Sequence, residues 1–279
     1  MLSQLSKKTD SERVTPLDDL DFEPYENFHL KINKQISSGR LPVFLVFCQN
    51  TMEYYTLKVF PYTGSHPSSE FQSELRVSSL IHPHLLKVIA YKDRDTFKLN
   101  KASTRVSICL MEYSSYGSFH EILKSSSFSK DEKLVRTYFH QLVEGIEFLH
   151  SNKIAHTDLK LDNLLLGDDF LLKITDFVGA YKEGDKSIKG KGTPLFRAPE
   201  VKEGQCEDPF AADVYSIGII FFVLITKLFP HSEEKKFGNH NLYALLGKDD
   251  KKAYWAAMKE VFAAHEAKLS LSKEAQELF

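Results

Sequence analysis

Cysteine is scarce: Cys48, Cys109 and Cys206 are the only three among 279 residues, and they stand far apart. An odd, scattered set supports neither a disulfide framework nor a zinc site. It fits a reducing compartment, with the thiols serving as small apolar side chains. Net charge is slight at −2, so no overall field draws the chain to nucleic acid or to an anionic membrane. A signal peptide is lacking, because MLSQLSKKTDSERV has no apolar core. Long hydrophobic runs are lacking too. IGIIFFVLI, from Ile217, is about half of what a bilayer requires and reads as a buried helix. No internal repeat or extended low-complexity segment is visible. These absences predict a soluble, intracellular and cytoplasmic protein with no nucleic-acid or membrane partner.

What is present is apolar content enough for one large domain or two lobes, since 42% of residues are hydrophobic. Residues 1–28 are polar, turn acidic in PLDDLDFEPYENF, and read as a tail. From His29 come short runs rich in β-branched and aromatic residues. HLKINKQI, VFLVFCQ, EYYTLKVF, LLKVIAYKD and VSICLMEY are predicted strands, with a predicted helix, SSEFQSELRVSSLI, after the third. Beyond Tyr113 the period becomes helical. In KDEKLVRTYFHQLVEGIEFLHS, Leu134, Phe139, Leu142, Ile146 and Leu149 recur mostly three or four apart, predicting a long helix with a broad apolar face. HTDLKLDNLLL and the apolar strand LLKITDF follow, then a Gly/Lys-rich loop over 183–193 and a buried helix from near Ala211. Polar helices run from about Asn241, where the apolar residues around Trp255 suit core packing. Strands first and helices later predict an α+β chain with a small β-rich lobe and a larger helical lobe.

The chemistry concentrates in HTDLKLDNLLL. Asp158 can accept a proton or orient a hydroxyl, and Lys160 can neutralise phosphate charge. The Asn163 amide oxygen can bind magnesium, a hard cation that prefers oxygen. Asp176, in LLKITDF, could bind the same metal. Singly, Asp and Asn at such places are ordinary turn caps. The combination points further. HTDLKLDN resembles the H-R-D-L-K-x-x-N catalytic loop of eukaryotic protein kinases, and TDFVGA resembles their D-F-G segment. GTPLFRAPE resembles the activation-segment end that closes on A-P-E. DVYSIG resembles the buried helix that anchors the catalytic loop, YYTLK the ATP-lysine strand, and LMEYSSYGS the hinge.

The resemblance runs in family order over 29–279 and implies a bilobal kinase fold. The N-lobe would cover about 29–111, the hinge 112–117 and the C-lobe 118–279, with the family's last helices missing beyond LSKEAQELF. It implies ATP- and Mg2+-dependent transfer of the γ-phosphoryl group to Ser/Thr hydroxyls of a protein substrate. By the same resemblance, Asp158 is the base, Lys160 faces the γ-phosphate and Thr193 lines the acceptor site. Lys58 holds the α/β-phosphates with Glu74 as its ion-pair partner, while Asn163 and Asp176 hold the metal. Ile36, Gly39, Phe44, Thr56, Met111, Glu112, Tyr113 and Leu165 surround the nucleotide, and His156 and Phe177 are packing elements.

Several letters depart from the pattern. SSGRLPVF keeps only Gly39 of three glycines, with Ser37 and Pro42 at the others, and proline offers no N–H to a phosphate. Val178 stands for the D-F-G glycine, with Gly179 one place later; valine cannot cheaply adopt positive φ, so either the turn is altered or Gly179 supplies the freedom. Ungapped counting puts Ser73, not Glu74, opposite Lys58; Glu74 requires a helix one residue shorter. Thr157 replaces the arginine that pairs with a phosphorylated activation loop. A phosphate clamp at Ser187 is then not expected, and Lys182, Lys186, Lys189 and Lys191 read as a solvated face. The alternative reading is a pseudokinase that binds nucleotide or scaffolds without catalysis.

Overall fold

The computed structural model describes residues 29–37, 41–99, 102–125, 128, 131–185, 192–204, 206–231, 242, 245 and 250–264. The 1–28 tail, Gly39, Ser187 and the lysines at 186, 189 and 191 lie outside the described residues. The chain divides into two units. One runs to Gly117 and includes Leu165–Val178; the other comprises Ser118–Leu164 and the residues from Gly179 on.

The first unit is built on an antiparallel sheet of β1 (Leu30–Ser37), β2 (Val43–Cys48), β3 (Glu53–Pro61), β4 (Val88–Leu99) and β5 (Ala102–Glu112), in the order β1-β2-β3-β5-β4. Alternation along the strands gives each face its own core. Phe44, Val46, Leu57, Val59, Ile108 and Leu110 cluster on one side. Phe60, Cys109 and Met111 gather on the other, with Phe71 of α1 (Ser69–Leu75) and Leu86. Burying a side chain of this size contributes about 1.5–3 kcal/mol.

Two boundaries differ from the sequence expectation. α1 was expected to reach Ile81 but ends at Leu75, where the N–H groups of Arg76, Val77 and Ser78 turn to carbonyls three residues back. The Ser78 hydroxyl donates to the Leu75 carbonyl at 2.8 Å, a local bond that competes with the helical ladder. The β4–β5 hairpin extends past its predicted ends through Thr96↔Arg105 and Phe97↔Thr104. Its added length is polar apart from Phe97, Leu99 and Ala102, and the Phe97 ring lies in the core, 5.2 Å from that of Phe44, so period-two hydrophobicity could not announce it.

β7 (Leu164–Leu166) and β8 (Leu172–Ile174) form a hairpin deep in the sequence of the helical part. β8 nevertheless belongs to the first unit, held there by Leu86 N–H to the Ile174 carbonyl and Ile174 N–H to the His84 carbonyl, both 2.9 Å.

The second unit is mainly helical: α2 (Phe119–Ser125), α3 (Glu132–Ser151), α4 (Pro199–Glu203), α5 (Pro209–Thr226) and α6 (Lys251–Ala264), with a small ladder of β6 (Ile154–Ala155) and β9 (Tyr181–Lys182). Asp131 caps α3 by accepting from Leu134 N–H, and Val135, Tyr138, Leu142, Ile146 and Leu149 bury its apolar stripe. Asp208 caps α5, with Pro209 in the first turn. α5 is long and apolar enough to cross a membrane by length and composition, and half of that span is buried inside the protein. Its Phe222 packs on Tyr254, Met258 and Phe262 of α6, a core role for that amphipathic segment. Cys48 and Cys109 are buried, Cys206 is half-buried, and none forms a disulfide.

Candidate active site

In the first unit, strand alternation places Lys58 of β3 on the same face as Thr56, and antiparallel register sets it across from Cys109 of β5. Its ammonium lies 2.9 Å from Glu74 Oε2 and 2.7 Å from Asp176 Oδ1, and both Lys58 and Glu74 side chains are buried, with relative exposures of 7% and 1%. Burial by itself would push the lysine down, but the charges of Glu74 and Asp176 outweigh it and hold Lys58 above its ordinary value. The partner is thus Glu74 rather than Ser73. The early end of α1, with tight turns in place of its last turn, accompanies that change of register. Beside this pair the Cys109 thiol is pushed up to about 12, by burial first and by the Glu74 charge second.

Asp176 carries the positive φ of the turn, +69°, while Val178 and Gly179 do not. Aspartate tolerates the left-handed region better than valine, so the substitution at 178 meets no backbone strain there. Val178 instead packs against the Met111 cluster, as does Leu165.

Of the expected nucleotide residues, Thr56 and Met111 are buried on the Lys58 face, directly paired across β3 and β5. Glu112 ends β5, and Tyr113 follows it. Ile36 is exposed at a bulge of β1. Phe44 requires a correction. The β2–β3 register pairs it with Leu57, and its ring packs in the core with Phe97 on the far face. Val43 and Leu45 are the β2 residues across from Lys58 and Thr56. A one-residue slip exchanges the two faces of a strand, and the degenerate glycine loop left the register unpinned.

In the second unit, Asp158 Oδ1 accepts from the Thr193 hydroxyl at 2.7 Å, and its Oδ2 lies 3.2 Å from Lys160 Nζ. Lys160 also donates to Thr193 Oγ1 at 3.1 Å, closing a triangle of carboxylate, ammonium and hydroxyl. Asn163 is buried, and its Nδ2 donates to the Asp158 carbonyl at 2.9 Å, which leaves the oxygen end of the amide for a cation.

The backbone before Asp158 is held in an unusual conformation. Thr157 has φ +65°, uncommon for a β-branched residue. Asp213 of α5 fixes it: Oδ1 accepts from Thr157 N–H at 2.8 Å, and Oδ2 accepts from His156 N–H at 2.7 Å with His150 Nε2 at 3.0 Å. The Thr157 hydroxyl donates to the Gly179 carbonyl at 2.7 Å. Gly192, at φ +88°, approaches so closely that a Cβ there would lie 2.8 Å from the Thr157 carbonyl oxygen, so no side chain fits. Arg197 Nη2 donates to the Gly192 carbonyl at 2.6 Å, and Ser216 Oγ to the Phe196 carbonyl at 2.8 Å. Sequence reasoning gave no role to His150 or Arg197. The signal for Asp213 was visible, as a carboxylate at the head of an otherwise apolar helix.

Asp176 in the first unit and Asn163 in the second each carry an oxygen donor of the type a hard cation takes. Among the described residues no group of three or more His, Cys, Asp or Glu could hold a metal on its own. Oxygen donors of this kind suit a hard cation better than a soft metal.

Residues 30–279 match the family model described as "Protein kinase domain". The chain is 39% identical over 139 residues to the probable serine/threonine-protein kinase RTK1 of Saccharomyces cerevisiae, covering 47% of this chain and 22% of that protein. It is 32% identical over 167 residues to CBL-interacting protein kinase 26 of Oryza sativa subsp. japonica, covering 58% and 32%. With CBL-interacting serine/threonine-protein kinase 8 of Arabidopsis thaliana it shares 32% over 169 residues, covering 59% and 36%. These matches span between about a fifth and a third of the relatives' own length.

Proposed function

This chain belongs to the protein kinase family, and from that membership we propose that it transfers the γ-phosphoryl group of ATP to serine or threonine hydroxyls of protein substrates, with Mg2+, in the cytoplasm. The reading assigns 29–279 to the kinase domain and 1–28 to a preceding tail. The observation that carries it is the buried Lys58 ammonium held at 2.9 and 2.7 Å by Glu74 and Asp176. Phosphoryl transfer asks mainly for positioning and charge neutralisation, and a lysine kept charged by two carboxylates is suited to phosphate oxygens.

Each residue has a defined task. Lys58 binds the α/β-phosphates, and the backbone of Glu112 and Tyr113 bonds the base. Asp158 orients the acceptor hydroxyl and takes its proton as the oxygen–phosphorus bond forms and the bond to ADP breaks. The Thr193 hydroxyl, bonded to Asp158 at 2.7 Å, makes the type of contact the acceptor would make. Lys160 neutralises γ-phosphoryl oxygens. Asp176 and Asn163 are the residues that would hold magnesium, which would supply charge neutralisation on the phosphates.

The test is transfer of labelled γ-phosphate to a mixed Ser/Thr peptide library. Wild type is expected to label it, and Asp158→Asn to lose at least about a hundredfold in rate. Nucleotide binding without transfer would favour the pseudokinase reading, which Pro42 motivates because it has no N–H for a phosphate.

A further inference from the structure

Residues 112–117, which carry the proposed backbone contacts to the base, are tied at several points to the β7–β8 turn. Glu112 N–H donates to the Lys87 carbonyl at 3.0 Å, and Lys87 N–H returns a bond to Glu112 Oε1 at 2.8 Å. The same Glu112 oxygen lies 3.9 Å from the ammonium of Lys173, a lysine with a side-chain exposure of only 9%. Lys173 is anchored in turn by Asp169 Oδ2 at 3.0 Å. Farther along, both the N–H and the hydroxyl of Ser115 donate to Asp168 Oδ1. The Tyr116 and Phe170 rings lie 5.0 Å apart, and Leu166 N–H donates to the Gly117 carbonyl at 3.0 Å.

The turn is shaped for this. Gly167 leaves room that a side chain would fill, since a Cβ there would meet Asp169 Oδ1 at 2.6 Å and Lys173 Cε at 3.1 Å. Phe170 sits at φ +60°, an uncommon conformation for an aromatic residue, which its ring contact with Tyr116 accompanies. A buried ammonium aimed at two carboxylates is costly to assemble unless it fixes something. What it fixes is Glu112, whose own backbone would meet the base.

We infer that Lys173 and Asp168 are positioning residues for nucleotide binding, setting the 112–117 segment from the β7–β8 turn without touching nucleotide themselves. The inference rests on the kinase reading and extends it, because the turn then tunes affinity at the base end and leaves the phosphate end alone. The full chain and the variants Lys173→Met, Lys173→Arg and Asp168→Ala are compared by calorimetric binding of Mg-ATP and of adenosine, by KM and kcat for transfer, and by amide hydrogen exchange over 112–117.

Lys173→Met is expected to weaken both ligands by the same factor of about ten, the scale of one lost partly buried ion pair. Its KM for ATP should rise with kcat within about twofold, and Lys173→Arg should recover most of the affinity. Asp168→Ala, in an exposed turn, should show the same pattern more weakly and decides the matter if Lys173→Met fails to fold. Faster exchange over 112–117 without nucleotide is expected in each loss variant. Unchanged affinity and exchange in both overturn the inference while leaving the kinase reading standing. Wild type that binds neither ligand overturns the reading and the inference together.

Discussion

At the scale of single residues, the Lys58–Glu74 pair shows how burial decides the meaning of a charge. With one partner removed, the other stays in a low-dielectric site, and breaking such a pair typically costs about 3–5 kcal/mol. Lys58→Met is therefore expected to destabilise the protein on that scale. Lys58→Met with Glu74→Leu should recover a large part of the loss, as read from urea denaturation. The pH dependence has a definite sign. Lys58 is held above the ordinary lysine value of 10.5, so the stability it contributes is fully present below that value. It fades only as pH rises through the higher folded value. The gap between wild type and Lys58→Met should accordingly stay level on the alkaline side of neutrality and narrow only beyond 10.5.

At the scale of elements, strand β2 turns neighbouring residues to opposite faces of the sheet. Phe44 faces Leu57 and packs with Phe97, whereas Leu45 lies across from Thr56. Phe44→Ala should thus cost about 3–5 kcal/mol of stability through the cavity it leaves, with the KM for ATP in the remaining folded protein little changed. Leu45→Ala should raise that KM severalfold. A differential melting scan combined with ATP titration of initial rates separates the two outcomes; a larger effect on KM from Phe44→Ala would contradict the register. α5 divides its labour similarly. Its apolar length packs the second unit, while Asp213 near its start receives the His156 and Thr157 N–H groups and holds the positive φ at Thr157.

For the whole molecule, the question is what sets activity. The segment around Thr193 is held by three bonds within the chain: Thr193 to Asp158, Arg197 to the Gly192 carbonyl and Ser216 to the Phe196 carbonyl. Thr157 stands where an arginine would read a phosphorylated loop, and its hydroxyl bonds the Gly179 carbonyl instead. Treatment with a Ser/Thr phosphatase is therefore expected to leave kcat/KM for peptide phosphorylation within about twofold, because without that arginine no charge-assisted clamp is there to lose. A loss of tenfold or more on dephosphorylation, restored by rephosphorylation, would show that a phosphate clamp exists after all.

The sequence by itself determined the order of strands and helices and the family, because period-two and helical spacing are local properties. HTDLKLDN, TDFVGA and GTPLFRAPE are contiguous strings whose letters carry the chemistry. Letters that act across long separations were legible only as possibilities. Glu74 against Ser73 depended on where α1 unwinds, and that was decided by side-chain and i−3 hydrogen bonds around Ser78. Phe44 was misread because strand register is set by pairing with β3, beyond any window on β2. Val178 looked like strain until the backbone placed the positive φ on Asp176. Lys173 stood only as a letter of the predicted LLKITDF strand, and Asp169 had no assigned role. Their reach to Glu112, 61 positions from Lys173, exists only where β8 is stitched beside Leu86 and a local ammonium finds a distant carboxylate.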